Sequence, residues 1–124
     1  MRRVVVTGIG SVTPLGSGIE SSWNSLLKSQ SGIDKIQSFD VSDLPVKIAA
    51  EVPVGIESDG KFDFRRWVSD KDRRKNDAFI IFGIAAASQA IEDAGWKPER
   101  EEDLCRTGVI IGSGIGGLPG IYDA

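Results

Sequence analysis

A short segment between Arg65 and Lys75 concentrates positive charge in a chain that is acidic overall. It contains two aspartates and six basic residues, which are Arg65, Arg66, Lys71, Arg73, Arg74 and Lys75. The local charge is therefore +4, whereas the whole chain carries −3. The segment also opens a predicted helix, whose positive dipole end mildly disfavours cations. The charges alone leave two interpretations open: a site for an anionic partner, or a solvated turn partly balanced by Asp70, Asp72 and Asp77.

Side chains suited to acid–base or nucleophilic catalysis are scarce. The sequence has no histidine, which excludes any imidazole-dependent mechanism within it, and a single cysteine, Cys105. One cysteine cannot form an internal disulfide, and this favours a reducing compartment. Cys105 lies just before a predicted strand, where we expect a semi-buried structural thiol.

Two glycine turns invite comparison with a dinucleotide-binding site. Residues 112–117 have the G-x-G-x-x-G spacing and follow a predicted strand. The fingerprint also needs a helix at its third glycine and an acidic residue about 20 positions later. Residues 118–120 (Leu-Pro-Gly) are a poor helix opening, and the turn at 8–13 lacks the third glycine. We therefore favour close packing at the ends of buried strands as the role of these glycines.

Length and composition are those of one ordinary globular domain. The chain has 124 residues, of which 40% are hydrophobic and 27% charged. Its isoelectric point near 4.9 argues against a nucleic-acid partner. The N-terminus, MRRVVVTG, enters a predicted strand without a signal-peptide core, and the longest apolar run is too short to span a bilayer. We expect a cytoplasmic protein with no membrane contact.

The element that must position these residues is a predicted helix from Ser69 to Gly95. Ser69 and Asp72 form a capping-box start, and Gly95 is a typical stop. Residues 78–91 are apolar on every side of a 3.6-residue period, which is typical of a buried helix. We expect this part to be covered on nearly all faces in the intact protein.

The other predicted elements are short. Arg3–Thr7 and Arg106–Ile111 are predicted strands, the first of them buried on both faces. Ser17 and Glu20 predict the start of an amphipathic helix that ends by Gly32. Within the irregular residues 33–64, Val46–Val52 is the best strand candidate. Residues 98–103 are predicted to be an acidic surface loop.

Several separated motifs, in order and in register from residue 2 to the end, resemble one family. They are Arg2 to Gly10, Ser31-Gly32-Ile33, Phe39-Asp40, Lys71 to Phe79, and Gly112 to Gly117. Together they are similar to the opening of the type II β-ketoacyl-acyl-carrier-protein synthases. The resemblance implies a thiolase-like α/β fold, layered α-β-α-β-α, with the apolar helix in its middle layer. It also implies that residues 1–124 are the N-terminal part of such a synthase domain, without an internal boundary.

The family's reaction is a decarboxylative Claisen condensation in fatty acid synthesis. An acyl group passes from a carrier protein to a cysteine, and two histidines assist as malonyl-carrier protein loses CO2. The resemblance implies that this cysteine and both histidines lie beyond Ala124. We therefore expect no catalytic residue in this chain, and Cys105 lacks the family's turn around its nucleophile. We expect the chain by itself to be inactive, and the full enzyme to use neither a cofactor nor a metal.

Two sites carry over from the resemblance. Lys71, Arg74 and Lys75 match the positions that meet the acidic acyl carrier protein and its phosphopantetheine phosphate, with Arg73 beside them. Ile115 matches a residue that lines the acyl pocket and gates it near the dimer interface. Because the type I enzymes lack an isoleucine there, the resemblance favours type II, and it implies a homodimer.

Two alternatives stay open. A non-catalytic partner subunit of the same fold, a chain-length factor, would share most of these motifs and would carry glutamine at the nucleophile's position. A dinucleotide-binding domain would need a second strand ending in an acidic residue, which residues 28–40 do not supply.

Overall fold

The computed structural model describes residues 2–122, except the side chain of residue 119. It divides into two compact units, one formed by the described residues up to Gly10 and from Trp67 onward, the other by Ser11–Arg66. No helix among the described residues has the length and apolarity needed to cross a membrane.

The Ser11–Arg66 unit begins with a tight hairpin and a helix. Strands β1 (Val12–Thr13) and β2 (Gly16–Ser17) pair antiparallel across a Pro14-Leu15 turn. Helix α1 (Ile19–Leu27) follows, with Gly18 as its N-cap and no side-chain cap, so the predicted capping box at Ser17 is wrong. Gly18 has φ +93°, a conformation that glycine adopts without strain.

A second hairpin and two short helical segments follow in this unit. Strand β3 (Ile33–Lys35) pairs with β4 (Ile48–Ala50), which confirms the strand predicted within Val46–Val52 and adds a partner that was not predicted. The Ser38 hydroxyl and the backbone N–H of Gln37 donate to the Glu51 carboxylate and lower its pKa. Helix α2 (Phe64–Trp67) follows a 3₁₀ turn (Glu57–Asp59).

The core of the Ser11–Arg66 unit lies around two phenylalanines. Phe62 and Phe64 are buried edge to face, with ring centroids 4.9 Å apart. Beside the first hairpin, the buried Ser22 hydroxyl lies 2.9 Å from the Thr13 hydroxyl, so this polar side chain is satisfied inside the unit.

The other unit is arranged around helix α4 (Ala78–Ala94), which ends at Gly95 in the left-handed conformation as predicted. Ile81 and Ala85 are buried, whereas four larger apolar side chains on the remaining faces stay 37–46% exposed: Phe79, Ile80, Ile84 and Ile91. The helix is therefore confirmed, and its near-complete burial in the intact protein stays a prediction. The unit also contains α3 (Asp70–Arg73), α5 (Glu101–Cys105) and α6 (Leu118–Tyr122).

The two strands predicted for this unit are not formed, so both predictions are wrong. Residues 3–7 and 106–111 form no ladder with any described residue. Their apolar side chains are open to solvent, as shown by Val4 at 94% and Ile110 at 99% exposure. A β-branched run becomes a strand only when a neighbouring strand accepts and donates its backbone hydrogen bonds. Residues 101–103 of the acidic loop predicted at 98–103 belong instead to helix α5.

Candidate functional site

The basic residues Lys71, Arg73, Arg74 and Lys75, called the basic turn below, lie on and just after α3. The Ser69 hydroxyl accepts a hydrogen bond from the Asp72 N–H at 3.2 Å and donates one to its carboxylate at 2.7 Å. This is the predicted start of the helix, and it is confirmed. A serine cap satisfies N–H groups that the first turn of a helix leaves without partners.

The continuous helix predicted from Ser69 is interrupted after one turn. The backbone N–H of Lys75 and both the N–H and side-chain amide of Asn76 donate to the Asp72 carbonyl oxygen. Asp77 then takes an extended conformation, with ψ 154°, and becomes the N-cap of α4. Asn and Asp side chains compete with the helical hydrogen-bond pattern in this way, so the basic turn becomes a bend between α3 and α4.

Lys71, Arg74 and Lys75 are all exposed. Within the described part of the chain, none of these three makes an ion pair or a side-chain hydrogen bond. The carboxylate nearest in sequence, that of Asp72, is taken up by the Ser69 hydroxyl. Three uncompensated cations on one bend produce a local positive field that an anionic group can use.

The structure removes Arg66 from the six-residue cluster. Its guanidinium pairs with the Glu57 carboxylate in the Ser11–Arg66 unit. A neutralised cation contributes little to attracting an anion, so Arg66 adds little to the positive charge of Lys71, Arg74 and Lys75.

Ile115 lies in the glycine turn formed by residues 112–117, and its side chain is 74% exposed. Residues just before and within this turn lie beside the N-terminal half of α4. A Cβ added at Gly83 would lie 3.8 Å from the Ile111 side chain, and one added at Gly116 would lie 3.6 Å from the Phe79 ring. The chain thus lies beside α4 at Ile111, just before the turn, and again at Gly116, directly after Ile115, while Ile115 itself is exposed to solvent.

Asp77 links the two candidate sites. It directly follows the basic turn, and a Cβ added at Gly117 would lie 2.9 Å from the Asp77 Cβ and closer still to its carboxylate. The structure therefore brings the basic turn and the turn carrying Ile115 to the same end of α4. Sequence reasoning counted Asp77 only as a balancing charge. An aspartate directly before an apolar run is a common N-cap, and that signal could have identified it.

The chemistry that these residues support is binding. A basic bend and an exposed apolar side chain provide an anion contact and an apolar contact, without a general base. Cys105 is exposed at the end of α5, so the expectation of a semi-buried thiol is wrong. It lies on a five-residue helix whose first turn holds three acidic residues.

The comparison with protein families gives one match over almost the whole chain. Residues 1–123 match the family model described as "Beta-ketoacyl synthase, N-terminal domain". This match does not support the dinucleotide-binding alternative. The glycine turn is nonetheless followed by the short helix α6, although its sequence is a poor helix opening.

Two curated relatives have the same name, 3-oxoacyl-[acyl-carrier-protein] synthase 2. That of Rhizobium meliloti (strain 1021) is 55% identical over the whole chain, which spans 30% of that relative's length. That of Vibrio cholerae is 49% identical over 94% of the chain and 26% of its own length.

A solved structure, the ishigamide ketosynthase/chain length factor, is also similar. It matches with a TM-score of 0.64 and 31% identity over 77% of this chain and 22% of its own.

Proposed function

The chain belongs to the β-ketoacyl synthase family and has its thiolase-like fold, and from this premise we propose that it forms the carrier-protein-binding part of a chain-elongating synthase. In the full-length enzyme, an acyl group passes from acyl carrier protein to a cysteine thiol. Malonyl-carrier protein then loses CO2, and its carbanion attacks the acyl thioester to form the β-ketoacyl product. Residues 1–124 supply the N-terminal part of this synthase domain.

The observation that carries the proposal is the basic turn on a chain with this family match. Lys71, Arg74 and Lys75 are exposed and uncompensated in an otherwise acidic chain. Acyl carrier protein is acidic and carries its acyl group on a phosphate-linked arm. The basic turn attracts the protein and holds the phosphate, because both are anionic and charge complementarity speeds encounter.

Ile115 takes the second role, as a side chain that lines the acyl pocket. Its branched apolar group fills the channel while it is empty and moves aside when an acyl chain enters. The exposure of Ile115 within a glycine turn supports this role, since a side chain that is 74% exposed has room to move.

We place the full enzyme in the cytoplasm as a homodimer, on the grounds of the family and of the low cysteine content of residues 1–124, which contain Cys105 alone. The chain-length factor remains the second candidate because one similar structure contains such a subunit. The 55% identity with a named synthase favours the synthase. A glutamine at the position of the nucleophile in the full-length protein would decide for the chain-length factor.

The test uses full-length enzyme with Lys71, Arg74 and Lys75 changed to glutamate. At low salt we expect kcat/KM with acyl-carrier-protein substrates to fall on the order of 100-fold, because like charges now meet across the interface. Acyl-CoA substrates do not need this contact, so their kcat/KM should stay nearly unchanged. Raising the salt should shrink the defect, since charges are screened over about 10 Å at 0.1 M ionic strength.

A matched control changes Lys28, Lys35 and Lys97 to glutamate. These three are also exposed and alter the net charge by the same amount, so this variant should keep its preference for carrier protein. If kcat/KM with carrier-protein substrates fell equally in both variants, the change in net charge would explain the loss and the docking role would be contradicted. Equal losses with both substrate classes would assign the basic turn to folding instead.

A further inference from the structure

We propose that Asp77 is a positioning residue for the glycine turn, and that it sets how readily Ile115 yields to an acyl chain. The inference rests on the proposed function, because only the place of Ile115 in the acyl pocket gives this turn a role in substrate selection. Asp77 itself touches neither the acyl chain nor the reacting atoms in this proposal.

The first observation is the close approach of two glycines to the Asp77 side chain. A Cβ at Gly117 would overlap the carboxylate and lie 2.9 Å from the Asp77 Cβ, and a Cβ at Gly120 would lie 2.9 Å from Oδ2. Real Cβ atoms essentially never come within 3.0 Å of such neighbours. Glycine at both positions therefore lets the backbone rest directly on the Asp77 carboxylate.

The second observation is that the Asp77 carboxylate does not perform the usual task of its position. An N-cap aspartate normally accepts a hydrogen bond from the N–H two or three residues on. Asp77 makes no such side-chain bond, and it is half-buried. Its side chain instead fills the space beneath Gly117 and Gly120, so its contact with the turn is one of packing.

The third observation is that the turn is supported unevenly. Among the described residues, no heavy atom lies within 4 Å of a Cβ added at Gly112 or Gly114. Gly116 lies by the Phe79 ring and Gly117 on Asp77, so the support is concentrated after Ile115. Within the turn, the support nearest to Ile115 is therefore the end that lies on Phe79 and Asp77.

It follows that the bulk of Asp77 resists the displacement that a long acyl chain requires. Without this side chain, the turn moves at lower cost and long chains enter more easily. Short chains leave Ile115 in place, so their use changes little. The quantity that reports the effect is the ratio of kcat/KM for a long-chain to that for a short-chain acyl substrate.

The experiment compares variants of the full-length enzyme with acyl-carrier-protein substrates of 6 and 16 carbons, chosen to span short to long chains. Asp77→Gly removes the packing yet keeps a residue tolerated at an N-cap, and should raise the long-to-short ratio roughly 3- to 10-fold. Asp77→Asn keeps the shape of the side chain while removing its charge, so it should leave the ratio within about 2-fold of the parent.

A rescue pair tests the contact itself. Gly117→Ala drives a methyl group into the carboxylate and should shift the ratio away from that of the parent. Adding Asp77→Gly removes the opposing atoms, so the double variant should match Asp77→Gly alone. Changes at sites that do not touch would add instead, so additive effects would mean that Asp77 does not support the turn through this contact. Additive effects, or an Asp77→Asn variant as altered as Asp77→Gly, would overturn the proposal.

Ile115→Ala in the same assay separates this inference from the proposed function. If Ile115→Ala shifts the ratio while Asp77→Gly and Gly117→Ala do not, Ile115 lines the pocket and Asp77 has no positioning role. If Ile115→Ala has no effect, or the parent does not condense these substrates, the proposed function itself fails. Thermal unfolding of each variant shows whether it is folded. Should Asp77→Gly be unstable, Gly117→Ala alone decides the matter, because it disturbs the same contact from the other side and an unchanged ratio would overturn the proposal.

Discussion

Two glycine turns contact α4, and they do so in different ways. The first, Gly8-Ile9-Gly10, lies against the C-terminal half of the helix. A Cβ at Gly8 would lie 2.5 Å from the Ala94 nitrogen, and one at Gly10 would lie 2.8 Å from the Ala90 nitrogen. The Ile9 N–H also donates to the Asp93 carboxylate at 2.8 Å. The second, residues 112–117, meets the N-terminal half through the side chains of Phe79 and Asp77.

The difference lies in which atoms are opposite the glycines. At the first turn they are backbone atoms of a helix, which cannot move without breaking the helical hydrogen bonds. At the second they are side-chain atoms, which can rotate. Glycine thus allows a fixed contact with the helix backbone at the first turn and a contact with side chains at the second. The second turn also contains Ile115, which we propose to line the acyl pocket.

Gly10→Ala should give the largest loss of stability. The added methyl group meets the backbone of Ala86 and Ala90, so we expect a cost of about 3 kcal/mol in the free energy of unfolding. Chemical unfolding of the full-length enzyme measures this. A cost below that of Gly116→Ala would contradict the fixed contact.

Gly116→Ala should have an intermediate effect that comes from the backbone and not from a clash. Gly116 has φ +82°, and alanine in this left-handed region costs roughly 1–2 kcal/mol. The Phe79 ring, at 3.6 Å from the added Cβ, is at an ordinary contact distance. The check is the double variant Gly116→Ala/Phe79→Leu: if the ring were the cause, the glycine substitution would become harmless in that background.

Asp93→Ala should cost about 1 kcal/mol, since the Ile9 N–H loses its charged acceptor at an exposed site. Asp93→Asn keeps an acceptor oxygen and should lose less. Amide exchange at Ile9, measured by NMR, should quicken in the same order. Unchanged exchange in Asp93→Ala would mean that this hydrogen bond does not hold the first turn.

Gly112→Ala should change the free energy of unfolding by less than about 0.5 kcal/mol, because open space surrounds this position in the described structure. It is the matched control for Gly10→Ala, being the same substitution in the other turn. Equal losses for the two variants would remove the contrast between the turns.

The sequence by itself determined the features that depend on neighbours along the chain. The Ser69–Asp72 cap, the apolar helix that follows and its stop at Gly95 arise from contacts within a turn or two. The family was also readable, because its motifs stand in order along the chain, and the match over residues 1–123 confirms it. The cluster of basic residues was likewise visible in the sequence, although the ion pair between Arg66 and Glu57 was not.

Only the tertiary structure decided what depends on distant residues. Arg3–Thr7 and Arg106–Ile111 have the composition of strands but lack a paired neighbour among the described residues, and a strand exists only through such pairing. Arg66 left the basic cluster because Glu57 lies within reach of it. Asp77 gained its importance from glycines 40 or more residues away, because the chain folds Gly117 and Gly120 onto its side chain. Spacing along the sequence carries no record of such contacts.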